Sequence, residues 1–246
     1  MKLSIVIAVL DSHEIVRRQL LHYKKMELDD EVEIIFVDDG SDPPIEYPPY
    51  ELKNFTIYRT HDKRPWTVEL ARNVGIRKAR GEQVFSTDLD YIIPRNAINS
   101  AMNFTEDKMS IKREFGVLDE NGDFTQDLDV LREWGLLEER IKTKGTRLPP
   151  HPNNFVMKKT CFDLIGLFDE SRAGNPYPIG GDAEFKRRWT RFYREGKVTL
   201  CDYRPTIYMF PNGQFCGDVD SNPFNLFHNL SRKSEKNHYY KLQRQR

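Results

Sequence analysis

The stretch Leu3–Val9, which reads LSIVIAV, is a continuous apolar run that is rich in β-branched residues. Such runs are typical of parallel strands that are covered on both faces of a sheet. Glu33–Val37 (EIIFV), Phe55–Arg59 (FTIYR) and Gln83–Thr87 (QVFST) predict three more strands. Because helical patterns alternate with these strands, we predict an α/β fold with a mostly parallel central sheet flanked by helices.

Two helices are predicted among these strands. The first follows Leu3–Val9, where Val16, Leu20 and Tyr23 recur at i, i+4 and i+7. The second covers 66–79, and we expect Gly81 to end it. Its apolar residues at helical spacing are Trp66, Leu70 and Val74.

The second half of the chain has a less regular pattern. The spacing of Val130, Trp134, Leu137 and Ile141 predicts one amphipathic helix. Further along, the sequence predicts a short strand at Phe155–Met157 and a long loop at Gly166–Gly181. A helix is predicted after this loop, with Phe185, Trp189 and Phe192 in register. No linker separates the two halves, so we expect them to share one core.

Composition and charge exclude several classes of protein. Lysine plus arginine equals aspartate plus glutamate at 38 each, so no overall charge points to nucleic acid. The run Leu3–Leu10 is too short to span a bilayer, and Asp11 ends it without a cleavage site typical of signal peptides. The three cysteines have no paired spacing, which favours a reducing, cytoplasmic location.

One local charge bias stands out in the segment 228–246. It holds six lysines or arginines against a single glutamate. A solvated, partly frayed helix explains this bias, and so does a surface that contacts anionic lipid headgroups. Peripheral contact with a membrane is therefore one expectation for this tail.

Aspartates follow three of the four predicted strands: Asp11, Asp38 with Asp39, and Asp88 with Asp90. Ligands of open parallel sheets bind beyond the carboxyl ends of the strands, so we expect these side chains to converge. Converging carboxylates repel one another unless a cation or a hydrogen-bond donor is present. A hard divalent cation bound to a substrate diphosphate fits this need, since the sequence has no glycine-rich phosphate loop.

The triplet Asp88-Leu89-Asp90 supplies two of these carboxylates. We predict that the triplet continues the strand as an extended segment, so both carboxylates lie on the same side, because side chains alternate along a strand. One carboxylate could then hold a metal ion while the other reached a ribose hydroxyl or a water ligand. An isolated triplet of this kind is more often a solvated turn, and its position after a buried strand favours function.

Four motifs together resemble family 2 glycosyltransferases of the GT-A fold. They are, in order, Leu3–Val9, then Val37-Asp38-Asp39-Gly40-Ser41, then 71–82 with its Ala-Arg-Asn-Val-Gly-Ile run, and finally Thr87-Asp88-Leu89-Asp90. The resemblance implies that Asp39 binds the nucleobase and that Asp90, beside Asp88, ligates Mn²⁺ or Mg²⁺. It also implies a nucleotide pocket formed by Ala8, Asp11, Asp38, Asp39, Arg72, Asn73 and Asp88.

The same residues have structural alternatives. Asn73 and Gly75 could serve only to let a helix pack closely, and Asp38 could serve only to cap a turn. Members of the family often use a histidine as a further metal ligand late in the domain. His228 is the candidate by position, with His151 second, although a lone histidine is more often an ordinary surface or core residue.

The resemblance also implies a catalytic base in the segment Gly181-Asp182-Ala183-Glu184-Phe185. Asp182, favoured over Glu184, would remove the proton from the attacking hydroxyl in a single displacement that inverts the anomeric carbon. This sequence departs from the family at Gly181, where many relatives carry glutamate. Asp182 could instead cap a helix N-terminus, alone or together with catalysis.

These observations predict a single GT-A domain over 1–227. Its half 1–95 would bind the nucleotide sugar, 96–227 would bind the acceptor, and 228–246 would form the basic tail. We expect a hexosyltransferase-type enzyme that moves a sugar from a nucleotide diphosphate donor, UDP being favoured, to a saccharide, glycan or lipid-linked acceptor. The alternatives are a nucleotide-sugar-binding module without activity and a sugar nucleotidyltransferase.

Overall fold

A computed structural model describes residues 1–64, 67–174 and 181–211. Its strands, in chain order, are β1 Leu3–Val9, β2 Val32–Asp38, β3 Phe55–Arg59, β4 Gln83–Asp88, β5 Tyr91–Ile92, β6 Lys108–Ser110, β7 Lys112–Phe115, β8 Val117–Leu118, β9 Phe124–Thr125, β10 Arg147–Leu148, β11 Phe155–Lys158, β12 Leu200–Cys201 and β13 Thr206–Met209. Its α-helices are α1 His13–Met26, α2 Val68–Lys78, α3 Arg95–Asn103, α4 Leu128–Glu133, α5 Glu138–Lys144, α6 Cys161–Ile165 and α7 Gly181–Arg194. None of these helices is long and apolar enough to cross a membrane.

The central sheet has seven strands in the order β12-β6-β11-β4-β1-β2-β3. β1 runs parallel to both β2 and β4, and β3 runs parallel to β2. β11 is antiparallel to its neighbours β4 and β6. The prediction of a mostly parallel sheet flanked by helices is confirmed, and the carboxyl ends of β1, β2 and β4 meet at one edge.

Side chains of β1 alternate between the two faces of this sheet. Leu3, Ile5 and Ile7 belong to one buried apolar cluster, which also contains residues of α1 and α3. Val6 belongs to a second cluster, together with residues of α2, α6 and α7. Both faces of the strand are therefore covered, which explains why its sequence is apolar throughout.

Helix α2 differs in two ways from the prediction. Leu70 and Val74 are only half-buried, and Trp66 lies outside the described residues. The buried face of α2 is instead formed by Glu69, Ala71, Arg72, Asn73, Gly75 and Ile76. Polar side chains on the buried face mask the apolar periodicity on which the prediction depended.

Gly81 does not end α2, because the helix stops at Lys78. The backbone amide of Gly81 donates to Ser4 Oγ at 2.8 Å. A Cβ at this position would lie 2.6 Å from the backbone nitrogen of Ser4 and 2.7 Å from the carbonyl carbon of Leu3. Glycine is therefore needed for a close approach to β1.

The single amphipathic helix predicted over 130–141 is in fact two short helices, α4 and α5. Gly135 adopts a φ of 91°, which breaks the helix. The break lets Leu136 become buried at 2% exposure. The strand predicted at Phe155–Met157 is confirmed as β11, and so is the helix that carries Phe185.

A lysine is buried where β6 meets α7. The Nζ atom of Lys108 lies 4.1 Å from the ring centroid of Trp189 and 4.8 Å from that of Phe155. Burial lowers the pKa of Lys108 from its usual 10.5 to about 7, and the nearby Lys186 adds to the shift. The folded protein therefore releases this proton more readily than the unfolded chain.

We expect Lys108→Met to raise the free energy of unfolding by about 1–2 kcal/mol at pH 7, after allowing for the lost contacts between the cation and the two rings. The free-energy cost of burying the charged Lys108 is largest below pH 7, where Lys108 is protonated in both the folded and the unfolded state. It declines as the pH rises from 7 to 10.5, because only the unfolded chain then binds the proton. Urea unfolding at pH 6, 8 and 10 measures the difference in free energy of unfolding between Lys108→Met and the wild type. Lys112→Met, at an exposed position, is the control. A difference that does not change with pH would contradict the account.

Candidate active site

The carboxyl ends of β1, β2 and β4 bring most of the predicted aspartates to one edge. Ala8 of β1 lies between β2 and β4, opposite Val37 on one side and Asp88 on the other. Asp38 is the last residue of β2, and Asp88 is the last residue of β4. The sheet register therefore places the nucleotide-pocket candidates around the small side chain of Ala8.

Asp38 uses both of its carboxylate oxygens within the following loop. Oδ1 accepts from the backbone amide of Ser41 at 2.8 Å, and Oδ2 accepts from that of Ile45 at 3.0 Å. The Nε atom of Arg59 lies 3.7 Å from Oδ2. Asp38 therefore caps the turn after β2, which was one of its two predicted roles.

Asp11 and Asp39 are held in neighbouring loops. The Asp11 amide donates to Ser41 Oγ at 2.9 Å, and Asp11 Oδ1 accepts from the Asp42 amide at 2.7 Å. The buried carboxylate of Asp39 accepts from the hydroxyl of Thr67 at 2.8 Å and from that of Thr60 at 3.1 Å. Both aspartates have fixed positions beside β1.

Arg72 is the centre of the site. Its guanidinium forms ion pairs with Asp88 through Nη2 and with Asp182 through Nη1, the latter at 3.0 Å. The side chain is almost fully buried, whereas the two carboxylates are 28% and 30% exposed. Its Cζ atom lies 5.4 Å from the ring centroid of Phe168. Arg72 thus joins the end of β4 to the start of α7, although 110 residues separate it from Asp182.

Electrostatics explain why these charges are tolerated together. Burial alone would lower the pKa of Arg72, but Asp88, Asp182 and Glu69 outweigh it and raise that pKa. Burial alone would likewise raise the pKa of Asp88, but the Arg72 guanidinium holds it below its usual value. The ion pairs therefore keep both partners charged.

Asn73 has a structural position next to Arg72. Its Nδ2 donates to the Phe168 carbonyl and to Glu170 Oε1, each at 2.8 Å, and its Oδ1 accepts from the Phe168 amide at 3.0 Å. These bonds fix the segment that carries the ring beneath Arg72. A Cβ at Gly75 would clash with Val6, so this glycine lets α2 pack closely on β1.

The triplet Asp88-Leu89-Asp90 is not extended, which corrects the argument from alternating side chains. β4 ends at Asp88, and Leu89 and Asp90 form a turn. The Phe210 amide donates to the Asp90 carbonyl at 2.9 Å and so fixes this turn. The half-buried Asp90 therefore leaves the strand direction immediately after Asp88.

The two acidic side chains at the start of α7 have different partners. Asp182 is paired with Arg72, whereas Glu184 is paired with Arg188 at 2.7 Å. Arg188 also donates to the carbonyls of Ile165 and Leu167. Asp182 therefore lies at the carboxylate edge of the sheet, and Glu184 stabilises the loop after α6.

One site residue, Asn153, was not predicted from the sequence. Asn153 Nδ2 donates to Asp88 Oδ2 at 3.5 Å. His151, the second metal-ligand candidate, lies near Asp88 and Asp182: burial lowers its pKa, and these carboxylates counteract the shift. His228, the first candidate, lies outside the described residues. The loop between β10 and β11 has no periodic pattern that would have placed Asn153 here.

Within the described ranges, no three histidine, cysteine or acidic side chains are grouped as a ready metal site. Asp88 and Asp90 still offer the carboxylate oxygens that Mn²⁺ and Mg²⁺ prefer, and such ions often bind through one or two carboxylates while a diphosphate completes the coordination. The residues of this edge therefore fit a divalent cation that arrives with its substrate.

The seven-stranded sheet flanked by helices is the GT-A fold. The sequence model described as glycosyl transferase family 2 matches residues 4–159, and the chain belongs to this family. The predicted resemblance to this family is thus confirmed. The comparison with curated proteins gave no match.

Solved structures with the same fold have low sequence identity to this chain. Staphylococcus aureus TarS 1–349 is 16% identical with a TM-score of 0.52, over 85% of this chain and 60% of that one. Its complex with UDP is 16% identical with a TM-score of 0.53, over 95% of this chain and 64% of that one. The mannosyltransferase PcManGT from Pyrobaculum calidifontis, in complex with GDP-Man and Mn²⁺, is 15% identical with a TM-score of 0.52. The match covers 99% of this chain and 64% of that one. The chain therefore spans less than two thirds of the length of these relatives.

Proposed function

We propose that this protein is an inverting, metal-assisted glycosyltransferase that uses a nucleotide diphosphate sugar. The observation that carries the proposal is the Arg72 guanidinium, which holds Asp88 and Asp182 together at the carboxyl edge of the sheet. Asp88 opens the predicted metal-binding triplet, and Asp182 is the predicted base. A donor at this edge would have both groups beside it.

Three observations support Asp182 as the general base. It lies at the start of α7, is 30% exposed, and is held by one hydrogen bond that leaves carboxylate acceptor capacity. In the proposed reaction it accepts the proton of the acceptor hydroxyl while that oxygen bonds to the anomeric carbon. The bond from this carbon to the diphosphate breaks on the opposite side, so the configuration inverts and the nucleotide leaves as the diphosphate.

The donor side of the proposal rests on the aspartates of β1, β2 and β4. Asp39 would bind the nucleobase, and Ala8, Asp11, Asp38, Arg72 and Asn73 would surround the nucleotide. Asp88 and Asp90 would hold Mn²⁺ or Mg²⁺, which when bound neutralises charge on the leaving diphosphate. Structures of the same fold contain UDP, UDP-GlcNAc or GDP-Man, which supports a nucleotide sugar as donor and leaves UDP as our first choice.

The acceptor half of the proposal is broader. We propose that residues 96–227 bind a saccharide, glycan or lipid-linked acceptor through a hydroxyl group. The basic segment 228–246, which includes the third-ligand candidate His228, lies outside the described residues. Peripheral contact of this segment with a membrane stays a prediction, as does the division of the chain into donor and acceptor halves.

The direct test of the donor site is calorimetric titration with UDP and GDP, with and without Mn²⁺. We expect metal-dependent binding of one nucleotide, and at least a tenfold loss of its affinity in Asp90→Ala, because the cation loses a carboxylate ligand. Asp202→Ala, at an exposed position after β12, serves as the matched control and should bind as the wild type does.

Two outcomes separate the alternatives. If neither nucleotide binds with or without metal, the donor site is wrong. If a nucleotide binds but UDP-GlcNAc, UDP-glucose and GDP-mannose all remain intact after long incubation, the binding module without activity is favoured. Release of the free nucleoside diphosphate, rather than formation of a nucleotide sugar from a nucleoside triphosphate, distinguishes a transferase from a nucleotidyltransferase.

A further inference from the structure

Gly181, the first residue of α7, is buried against the side chain of Glu69. A Cβ at residue 181 would overlap Oε1 of Glu69 and would lie 3.0 Å from its Cδ and 3.2 Å from its Cγ. The carboxylate of Glu69, which comes from α2, therefore fills the space that a side chain at residue 181 would need. The two positions are complementary in size.

Glu69 belongs to the charge cluster around Arg72. It is 4% exposed, and it acts with Asp88 and Asp182 on the same guanidinium. Glu69 and Arg72 lie one turn apart on the buried face of α2. This face thus presents a carboxylate and a guanidinium side by side to the start of α7.

The contact between Glu69 and Gly181 sets the distance between α2 and α7 and brings a carboxylate to the first turn of α7. A carboxylate at the N-terminus of a helix is favoured by the partial positive charge there. Because Gly181 has no side chain, α7 can approach α2 until Asp182 reaches Nη1 of Arg72 at 3.0 Å. A larger residue at 181 would push Asp182 away from that nitrogen unless Glu69 moved.

We propose that Glu69 is a positioning residue for Asp182, and that it supplies from α2 the carboxylate that the family resemblance would place at residue 181. The acidic side chain is then present beside the first turn of α7, but it comes from position 69 and not from position 181. This inference rests on the proposed role of Asp182 as base. It predicts that a side chain at position 181 displaces the carboxylate of Glu69 from this space.

Thermal unfolding of four proteins tests the complementarity without reference to activity: wild type, Gly181→Ala, Glu69→Ala and the double variant. We expect Gly181→Ala to lower the Tm by roughly 4 °C in the wild type, because the new methyl group meets Glu69. In the Glu69→Ala background the same change should have no cost, since the clashing atoms are gone. If Gly181→Ala changes the Tm equally in the wild type and in Glu69→Ala, Glu69 does not pack against Gly181.

Steady-state hydrolysis of UDP-GlcNAc, UDP-glucose and GDP-mannose tests the positioning role. We expect Glu69→Ala to lower kcat about tenfold for the donor that is used, with its KM unchanged. The double variant Glu69→Ala/Gly181→Glu should recover to within about threefold of the wild-type kcat, because the carboxylate returns to the same space. Glu195→Ala, an exposed change just after α7, should leave both constants unchanged.

A wild-type kcat in Glu69→Ala, or a double variant no faster than Glu69→Ala, would overturn the positioning role. Absence of turnover in the wild type itself overturns the proposed function and the positioning role with it. The unfolding comparison still decides the packing of Glu69 on Gly181 in that case, so the two failures can be told apart.

Discussion

Replacing Asp182 with asparagine is expected to lower kcat by about 10²–10⁴-fold, which is the usual contribution of a general base. The amide has nearly the same shape as the carboxylate and its oxygen can still accept the hydrogen bond from Arg72. It cannot take a proton from the acceptor. Because the proposed donor site lies on β1, β2 and β4, we expect nucleotide affinity to remain within about twofold of the wild type, a difference too small to reflect a lost contact.

Glu184→Gln is the matched control for this substitution, since it removes a carboxylate from the same turn of α7. Glu184 is paired with Arg188 and not with Arg72, so we expect its kcat to stay close to that of the wild type. Release of the nucleoside diphosphate, followed over time, measures both variants. A larger loss in Glu184→Gln than in Asp182→Asn would transfer the role of base to Glu184.

Replacing Arg72 with methionine is expected to lower the free energy of unfolding by about 2–4 kcal/mol. Removing one partner of a buried ion pair leaves uncompensated charge, and Arg72 has two such partners. The estimate is below the usual range for full burial because Asp88 and Asp182 are 28% and 30% exposed. Urea unfolding at pH 7 measures the change.

Arg77→Met is the control, because Arg77 lies on the same helix and forms an ion pair with Glu170 in which the two side chains are 52% and 35% exposed. Exposed pairs contribute little, so its cost should stay below about 1 kcal/mol. In an Asp88→Asn background the cost of Arg72→Met should become smaller, since one unpaired carboxylate has been removed. Similar losses in Arg72→Met and Arg77→Met would show that the Arg72 cluster does not stabilise the fold.

The sheet and its acidic edge could be predicted because their signals are local. A strand covered on both faces is apolar throughout, as in Leu3–Val9, and three such strands run directly into aspartates. Parallel pairing then brings Asp38, Asp39 and Asp88 to one edge without any knowledge of distant contacts. Nothing beyond the order of strands and helices was needed for this part.

The contacts that complete the site could not be predicted, because they join residues far apart in the sequence. Arg72 and Glu69 are buried on the face of α2 that a hydropathy pattern assigns to solvent, and their burial is tolerated only because opposite charges meet there. Asn153 comes from a loop with no periodicity. The contact between Gly181 and Glu69 joins residues 112 positions apart, which no local pattern encodes.

Irregular local geometry accounts for the remaining errors. The turn at Leu89 and Asp90 follows from a backbone change that the triplet does not encode, and Gly135 divides a pattern that would otherwise suit one helix. In each case a buried apolar residue, Leu89 or Leu136, gains its place through the break. Tertiary packing therefore outweighed local periodicity at these points.

If Asp182 drives a single displacement at a nucleotide sugar, the configuration of the first product must be inverted relative to the donor. The protein would be incubated at low temperature with the α-linked donor that it uses, UDP-GlcNAc first, and the anomeric proton of the released sugar would be followed by NMR before the anomers equilibrate. The account predicts that the β anomer appears first and that Asp182→Asn abolishes it. Early accumulation of the α anomer would contradict the account.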